Sequence, residues 1–166
     1  PKANLLAMDA KGFVRTVIQT RETIKPDTAI YTPALAVPSN LAILVYAGVD
    51  LVDDVLCRVK GYSNFYLTLE GARGIGEISE LPCNCEVCSK VSADELRMME
   101  GKERFPLIAE HNFLKLCEEL KKVKEVVRAG NIREYIEKQC RTDAWQVASL
   151  RLMDSQAEYL ERRTPI

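Results

Sequence analysis

The chain has a single histidine and a single tryptophan, and aromatic residues make up only 7% of it. No apolar run approaches the roughly 20 residues of a membrane span, and no charged-then-apolar secretory pattern opens the chain. A membrane partner is therefore not expected. An excess of charge is missing as well: 23 Lys+Arg stand against 24 Asp+Glu, for a net charge of −1, so no global basic field draws polyanions. Clustered arginine and aromatic stripes are absent, which argues against strong direct RNA binding. Neither internal repeats nor low-complexity segments occur, and 47% hydrophobic with 28% charged residues exclude intrinsic disorder. At 166 residues the chain is too short for a complete (β/α)₈ barrel of about 250, yet long enough to bury a core without staples. Its opening Pro1-Lys2 fits a trimmed initiator methionine as well as a cut chain.

What charge asymmetry exists lies late. Residues 61–110 carry five basic and nine acidic side chains, and residues 111–166 carry eleven basic and nine acidic. A nucleic-acid surface, if present, belongs to the C-terminal third; the plainer reading is solvated helix faces.

Cysteine is the one uncommon residue in good supply. Of six, Cys83, Cys85 and Cys88 fall within six positions as Cys-x-Cys-x-x-Cys, while Cys57, Cys117 and Cys140 stand alone and read as core packing. The only histidine, His111, follows Cys88 with 22 residues between them. Without a secretory pattern, disulfides are not the expected use of these thiols. Three thiolates and one imidazole instead complete the tetrahedral shell of a structural zinc site, and sulfur donors favour zinc over magnesium or calcium. A full shell leaves no position for substrate. The competing reading is three free cysteines and an unrelated core histidine.

Along the chain, apolar runs at 4–8 and 13–19 around Asp9-Ala10-Lys11-Gly12 predict a hairpin, and residues 20–27 a linker. Residues 28–32 and 49–55 read as strands around an apolar helix 41–47, opened by Pro38-Ser39-Asn40 and stopped by Gly48. That is a strand–helix–strand unit of a parallel sheet. Residues 61–82 are turn-rich, with a short strand or helix lead-in at Tyr66-Leu67-Thr68. Ser92 with Glu95 reads as a capping box. A long helix is expected from Leu107 to Gly130, with Phe113, Leu116, Cys117, Leu120, Val123 and Val127 on one face. A second capping box at Asn131 and Glu134 opens a short helix with Ile132, Tyr135 and Ile136 inward. Thr142 is expected to cap a last helix with Trp145 and Leu152 in the core.

The cysteine and histidine spacing resembles the zinc arrangement of the tRNA-guanine transglycosylase family. Leu81-Pro82-Cys83-Asn84-Cys85-Glu86-Val87-Cys88-Ser89 and His111-Asn112-Phe113 are similar to stretches of its archaeal members. Gly48-Val49-Asp50-Leu51-Val52-Asp53 resembles the family's Gly-x-Asp-x-Phe-Asp, whose last aspartate is the covalent nucleophile; by that match Asp53 is the candidate catalytic residue. The interval from Asp53 to Tyr66-Leu67-Thr68 fits the same family, and the likeness spans roughly residues 28–140. Departures accompany it. Ala34-Leu35-Ala36-Val37-Pro38 stands where active archaeal members carry Gly-x-Gly-His-Pro, Val52 replaces the phenylalanine, and Asp54 follows where the family has a small residue. The half-barrel with the base-recognition loop and the second catalytic aspartate has no room in 27 residues. The tail, with Trp145 to Asp154 and Glu161-Arg162-Arg163-Thr164-Pro165, resembles the end of the degenerate transglycosylase-like domain of archaeosine synthases, a paralogous family.

The resemblance implies an α/β fold: a partial (β/α) barrel with a zinc-binding loop at 83–111 and a C-terminal helical group, over residues 28–166 behind the hairpin and linker of 1–27. Open strand edges are expected to be covered by the hairpin, a second copy or a partner chain. It also implies a cytoplasmic role in tRNA modification on the archaeosine (7-deazaguanine) route, as a Zn²⁺-stabilised domain or subunit that meets tRNA together with other domains or chains. The alternative is an active fragment that exchanges guanine for a 7-deazaguanine base through Asp53, whose plainer reading is a strand-end aspartate capping the next turn. A third reading is a free-standing zinc module that binds nucleic acid.

Overall fold

The computed structural model describes residues 9–163. The hairpin expected near the N-terminus is not seen there: Ala10–Thr23 is one helix, α1. Phe13, Val14, Val17 and Ile18 are buried on one side of it, and their i, i+1, i+4, i+5 spacing is helical rather than alternating. The other arm, residues 4–8, lies outside the described residues.

The strand–helix–strand unit is present in shortened form. β1 (Tyr31–Thr32) and β2 (Leu51–Val52) pair in parallel, Tyr31 opposite Leu51 and Thr32 opposite Val52, on either side of α2 (Leu41–Tyr46). Asn40 shapes the entry to α2: its Oδ1 accepts from the Val37 N–H at 2.8 Å and its Nδ2 donates to the Leu35 carbonyl at 3.0 Å. Gly48 follows the end of α2 with φ +98, a left-handed conformation that disfavours any Cβ. Buried Arg21 of α1 then ties the exit down by donating to the carbonyls of Thr28 (2.8 Å) and Gly48 (2.7 Å) and to Asp50.

The β-like run expected to reach Val55 stops early, because Val55–Tyr62 is a helix, α3. The Asp53 carboxylate accepts from the Val55 N–H at 3.2 Å, satisfying a donor that a starting helix leaves free. Phe65–Thr68 (β3) and Gly71–Gly74 (β4) form an antiparallel hairpin. Ser92 caps α4 (Ala93–Met98) through the expected box with Glu95. α5 (Gly101–Arg128) begins six residues before the expected start and runs through Pro106. Gly130, at φ +72, follows its end.

Two helix starts differ from expectation. Asn131, at the N-cap of α6 (Ile132–Gln139), makes no side-chain cap bond. The N-cap of α7 (Ala144–Asp154) is Asp143, one residue after the expected position, Thr142: the Asp143 carboxylate accepts from the Gln146 N–H at 2.9 Å. α8 (Ala157–Arg163) closes the described chain.

The result is a mixed α/β fold, mostly helical, with two small sheets among the described residues. Its larger core gathers α1, α2, α5, α6 and α7 around Phe13, Leu41, Leu44, Leu116, Val123, Ile136 and Met153. Trp145 and Leu152 are half-buried at its margin, while Leu150 and Met153 take the inner positions of α7. A smaller core of Tyr66, Ile75, Ile78, Ala93, Leu96 and Ile108 lies against Cys83 and Cys88. α3 crosses α5 at very close range, since a Cβ on Gly61 would sit 2.3 Å from the Ala109 Cα. No described helix is long and apolar enough to cross a membrane.

Candidate metal centre

The chain reverses just after Cys85: the N–H groups of Ser89 and Lys90 donate at 3.0 Å to the carbonyls of Cys85 and Val87. Buried Val87 anchors this turn, so Cys83, Cys85 and Cys88 present their sulfurs to one side. α5 brings His111 to them from 23 positions beyond Cys88. The three Sγ atoms and a His111 ring nitrogen all lie within 4.8 Å of one another. His111 Nδ1 is 3.5 Å from Cys85 Sγ and 3.3 Å from Cys88 Sγ. Bond lengths of a tetrahedral zinc site put its sulfur and nitrogen donors about 3.5–3.8 Å apart. The donor set and its spacing therefore fit a divalent, sulfur-preferring ion.

The imidazole is prepared for that role. Its Nε2–H donates to the Leu67 carbonyl at 3.0 Å, which leaves the Nδ1 lone pair toward the sulfurs; such an outer hydrogen bond fixes the tautomer of a ligating histidine. Burial pushes the imidazole pKa down to about 4, so the ring is neutral at neutral pH. Without an ion, burial and then the neighbouring Cys85 raise the Cys88 thiol to about 12. Three thiolates so close together need a cation beside them.

Two neighbours complete the setting. Tyr66 of β3 stacks on the His111 ring and meets Cys88 through its hydroxyl. Asn112, fully buried beside His111, receives the Leu67 N–H at 2.9 Å and donates to the carbonyls of Cys57 (3.0 Å) and Phe65 (2.9 Å). It stitches α5 to β3 and to α3, and so fixes the strand whose carbonyl orients His111. Sequence reasoning assigned no role to Tyr66 or Asn112, because both act through partners more than 20 positions away. The isolated cysteines differ from the cluster: Cys57 is fully buried, with its thiol raised to about 12 chiefly by burial, and Cys140 is buried too. Cys117 is half-buried on α5.

Asp53 lies apart from this cluster, at the end of β2. Its Oδ1 accepts from the N–H groups of Ala34 (2.9 Å) and Val55 (3.2 Å), and its Oδ2 from the Tyr31 hydroxyl at 2.6 Å. The hydrogen bond to Asp53 is also the main cause of the raised Tyr31 pKa. Ala34 takes a left-handed φ of +51 to deliver its N–H, a conformation that costs a non-glycine residue about 1–2 kcal/mol. One carboxylate thus ties Tyr31 and Ala34 to the start of α3. Asp54, the next residue, is engaged at the surface by Arg58 at 2.5 Å.

The sequence is similar to known proteins over most of its length. A family model described as Queuine tRNA-ribosyltransferase matches residues 5–144. The chain belongs to this transglycosylase family. It is 41% identical over 98% of its length to the archaeosine synthase subunit alpha of Methanosarcina acetivorans, and 39% identical over 95% to the archaeosine synthase of Haloferax volcanii. The tRNA-guanine(15) transglycosylase of Thermococcus kodakarensis is 30% identical over 94% of the chain. In these relatives the matched region is only 26–27% of the protein, so the chain spans about a quarter of their length.

Proposed function

We propose that this chain is a zinc-stabilised, transglycosylase-like domain or subunit of tRNA modification on the archaeosine route, working with other domains or chains. It does not exchange bases alone. The observation that carries the reading is the near end-to-end likeness to the two archaeosine synthases, joined to a Cys₃His cluster with zinc spacing.

Zinc in this site is structural. With three sulfurs and Nδ1 as ligands, none of the four tetrahedral positions is left for a substrate. The ion would supply the charge that keeps three thiolates together; the chain's own residues do the rest. Leu67 and Asn112 hold β3 and α5 in register, and the cysteine loop is tied to both through His111.

The finer architecture in this reading is part of a (β/α) barrel over residues 28–166. Two parallel strands with open edges support it, since parallel pairs are normally built into larger, covered sheets. Tyr31 and Leu51, opposite each other, and Val55, Val59 and Tyr62 along one face of α3, are all exposed. Such a surface suits a partner chain or a second copy, with tRNA engaged jointly in the cytoplasm.

The second reading, base exchange through Asp53, keeps one point in its favour: Asp53 follows β2 directly and ends a stretch, Gly48 to Asp53, that resembles the family's nucleophile motif. Its chemistry would need a free carboxylate oxygen about 3–3.5 Å from the sugar carbon, and a second group for the proton of the leaving base. Three donors already engage Asp53, and Ala34 and Ala36 replace the glycines of active members. The deciding experiment is incorporation of radiolabelled guanine into archaeal tRNA transcript, with and without candidate partner chains. The proposal expects none from the chain alone and modification once a partner is supplied. Robust exchange by the chain alone, abolished in Asp53→Asn, would reverse the ranking.

A further inference from the structure

Tyr66 touches two of the four candidate ligands, and these arrive from different parts of the chain. Its ring lies over His111 with centroids 3.7 Å apart and planes 10° from parallel. Its hydroxyl is 3.2 Å from Cys88 Sγ. The side chain is 1% exposed, so water cannot satisfy the phenol proton, and a buried tyrosine hydroxyl needs a partner. Cys88 sulfur is that partner. The next residue, Leu67, takes the Nε2 proton of His111 at 3.0 Å. Two consecutive residues of β3 therefore grip the helix ligand and one loop ligand together. Among the described residues, Cys88 is the one cysteine of the cluster with a hydroxyl against its sulfur.

We propose that Tyr66 is a positioning residue of the metal centre, which holds Cys88 by an O–H···S hydrogen bond and His111 by stacking, and thereby sets how tightly the ion is kept. The proposal rests on the cluster binding metal. Three thiolates and a neutral imidazole around a divalent cation carry one net negative charge in a half-buried site. A phenol proton shared with one thiolate draws off part of that charge, which makes the sulfur a poorer nucleophile and a poorer target for protons. Stacking keeps the imidazole plane aligned so that Nδ1 stays aimed at the ion. Phenylalanine would preserve the second effect and delete the first.

The test compares the zinc-loaded parent with Tyr66→Phe and Tyr66→Leu. Zinc affinity is read by competition with a chromogenic chelator, and alkylation of each cysteine by mass spectrometry. Zinc affinity in Tyr66→Phe should fall about 10-fold, the lower end of what outer-shell partners contribute, with fold retained at saturating zinc by circular dichroism. Cys88 should be alkylated faster while Cys83 changes little. With cobalt(II) in place of zinc, the sulfur-to-metal charge-transfer band should move to lower energy in Tyr66→Phe. Tyr66→Leu should lose affinity further. Unchanged affinity, alkylation and charge-transfer energy in Tyr66→Phe would overturn the proposal. Should that variant not fold, the parent decides: Cys88 must be the slowest of the three cysteines to alkylate in the holoprotein, and equal or faster reaction refutes the hydrogen bond's role. A parent that takes up no zinc at all removes the metal reading and this proposal together, whereas a zinc-loaded parent with an indifferent Tyr66→Phe removes only the latter.

Discussion

His111 and Leu67 are joined by one hydrogen bond, Nε2–H to carbonyl oxygen at 3.0 Å, and that bond decides which ring nitrogen meets the cysteines. The carbonyl belongs to a hairpin, the imidazole to a 28-residue helix, and the sulfurs to a loop between them. The candidate metal centre is therefore a joint of three elements rather than a decoration on one.

The first consequence concerns Asn112, which carries three hydrogen bonds at zero exposure. Asn112→Ala orphans the Leu67 N–H and the Phe65 carbonyl and removes a second donor from the Cys57 carbonyl of α3. Each unsatisfied buried group costs about 1–3 kcal/mol. Urea unfolding of the zinc-loaded variant should show a loss of about 3 kcal/mol. A loss below 1 kcal/mol would mean that water or repacking replaces the amide.

The close crossing of α3 and α5 makes a second. A methyl on Gly61 meets Ala109 backbone atoms at 2.3 and 2.4 Å. Backbone cannot yield as a flexible side chain does, so Gly61→Ala should cost about 1–3 kcal/mol by overpacking, despite alanine's better helix propensity. Thermal melts of parent and variant measure it, and a stabilised Gly61→Ala would contradict the crossing.

Asp53 gives a third. Asp53→Ala leaves the Ala34 and Val55 N–H groups without their acceptor, and the strained φ at Ala34 loses its compensation. Hydrogen exchange at residues 34 and 55 should quicken markedly while α5 and α7 stay protected. If exchange is unchanged, the carboxylate is not what holds these two N–H groups.

The pH dependence has a definite sign. His111 titrates near 4 in the fold because burial disfavours the imidazolium, against about 6.5 in an unfolded chain. Between those values the unfolded state binds a proton that the fold does not. Its contribution to stability is therefore complete above pH 6.5 and declines toward pH 4, by at most about 1.4 kcal/mol per unit. Proton competition for the thiolates acts in the same direction. Urea midpoints of the zinc-loaded protein at pH 7, 6 and 5 should fall steadily as protons compete with the ion for the thiolates and Nδ1, and a flat series would contradict metal-linked stability.

Much of this was readable beforehand, and the limits are physical. The four candidate ligands were visible because metal geometry constrains short spacings, and the parallel unit because Gly48 and the Pro38-Ser39-Asn40 turn punctuate it. α1 forms where the sequence suggests one arm of a hairpin, because a short apolar run such as Phe13-Val14 with Val17-Ile18 fits either period locally. The expected cap at Asn131 failed since cap-forming residues bond only where the approaching backbone lets them. Buried Glu119 could not be anticipated at all. Its carboxylate, with its pKa raised by burial, accepts from Tyr135 Oη at 2.8 Å and Gln139 Nε2 at 2.9 Å across the α5–α6 contact. Such long-range satisfaction of polar groups is what a single sequence conceals.

Zinc-linked folding tests most directly the proposal that the centre builds the fold rather than reacting. Metal analysis of the purified parent should give about one zinc per chain, and Cys85→Ser should lose the metal and unfold or aggregate, because binding to such a site is coupled to folding. A Cys85→Ser variant that stays folded, stable and metal-free would contradict it.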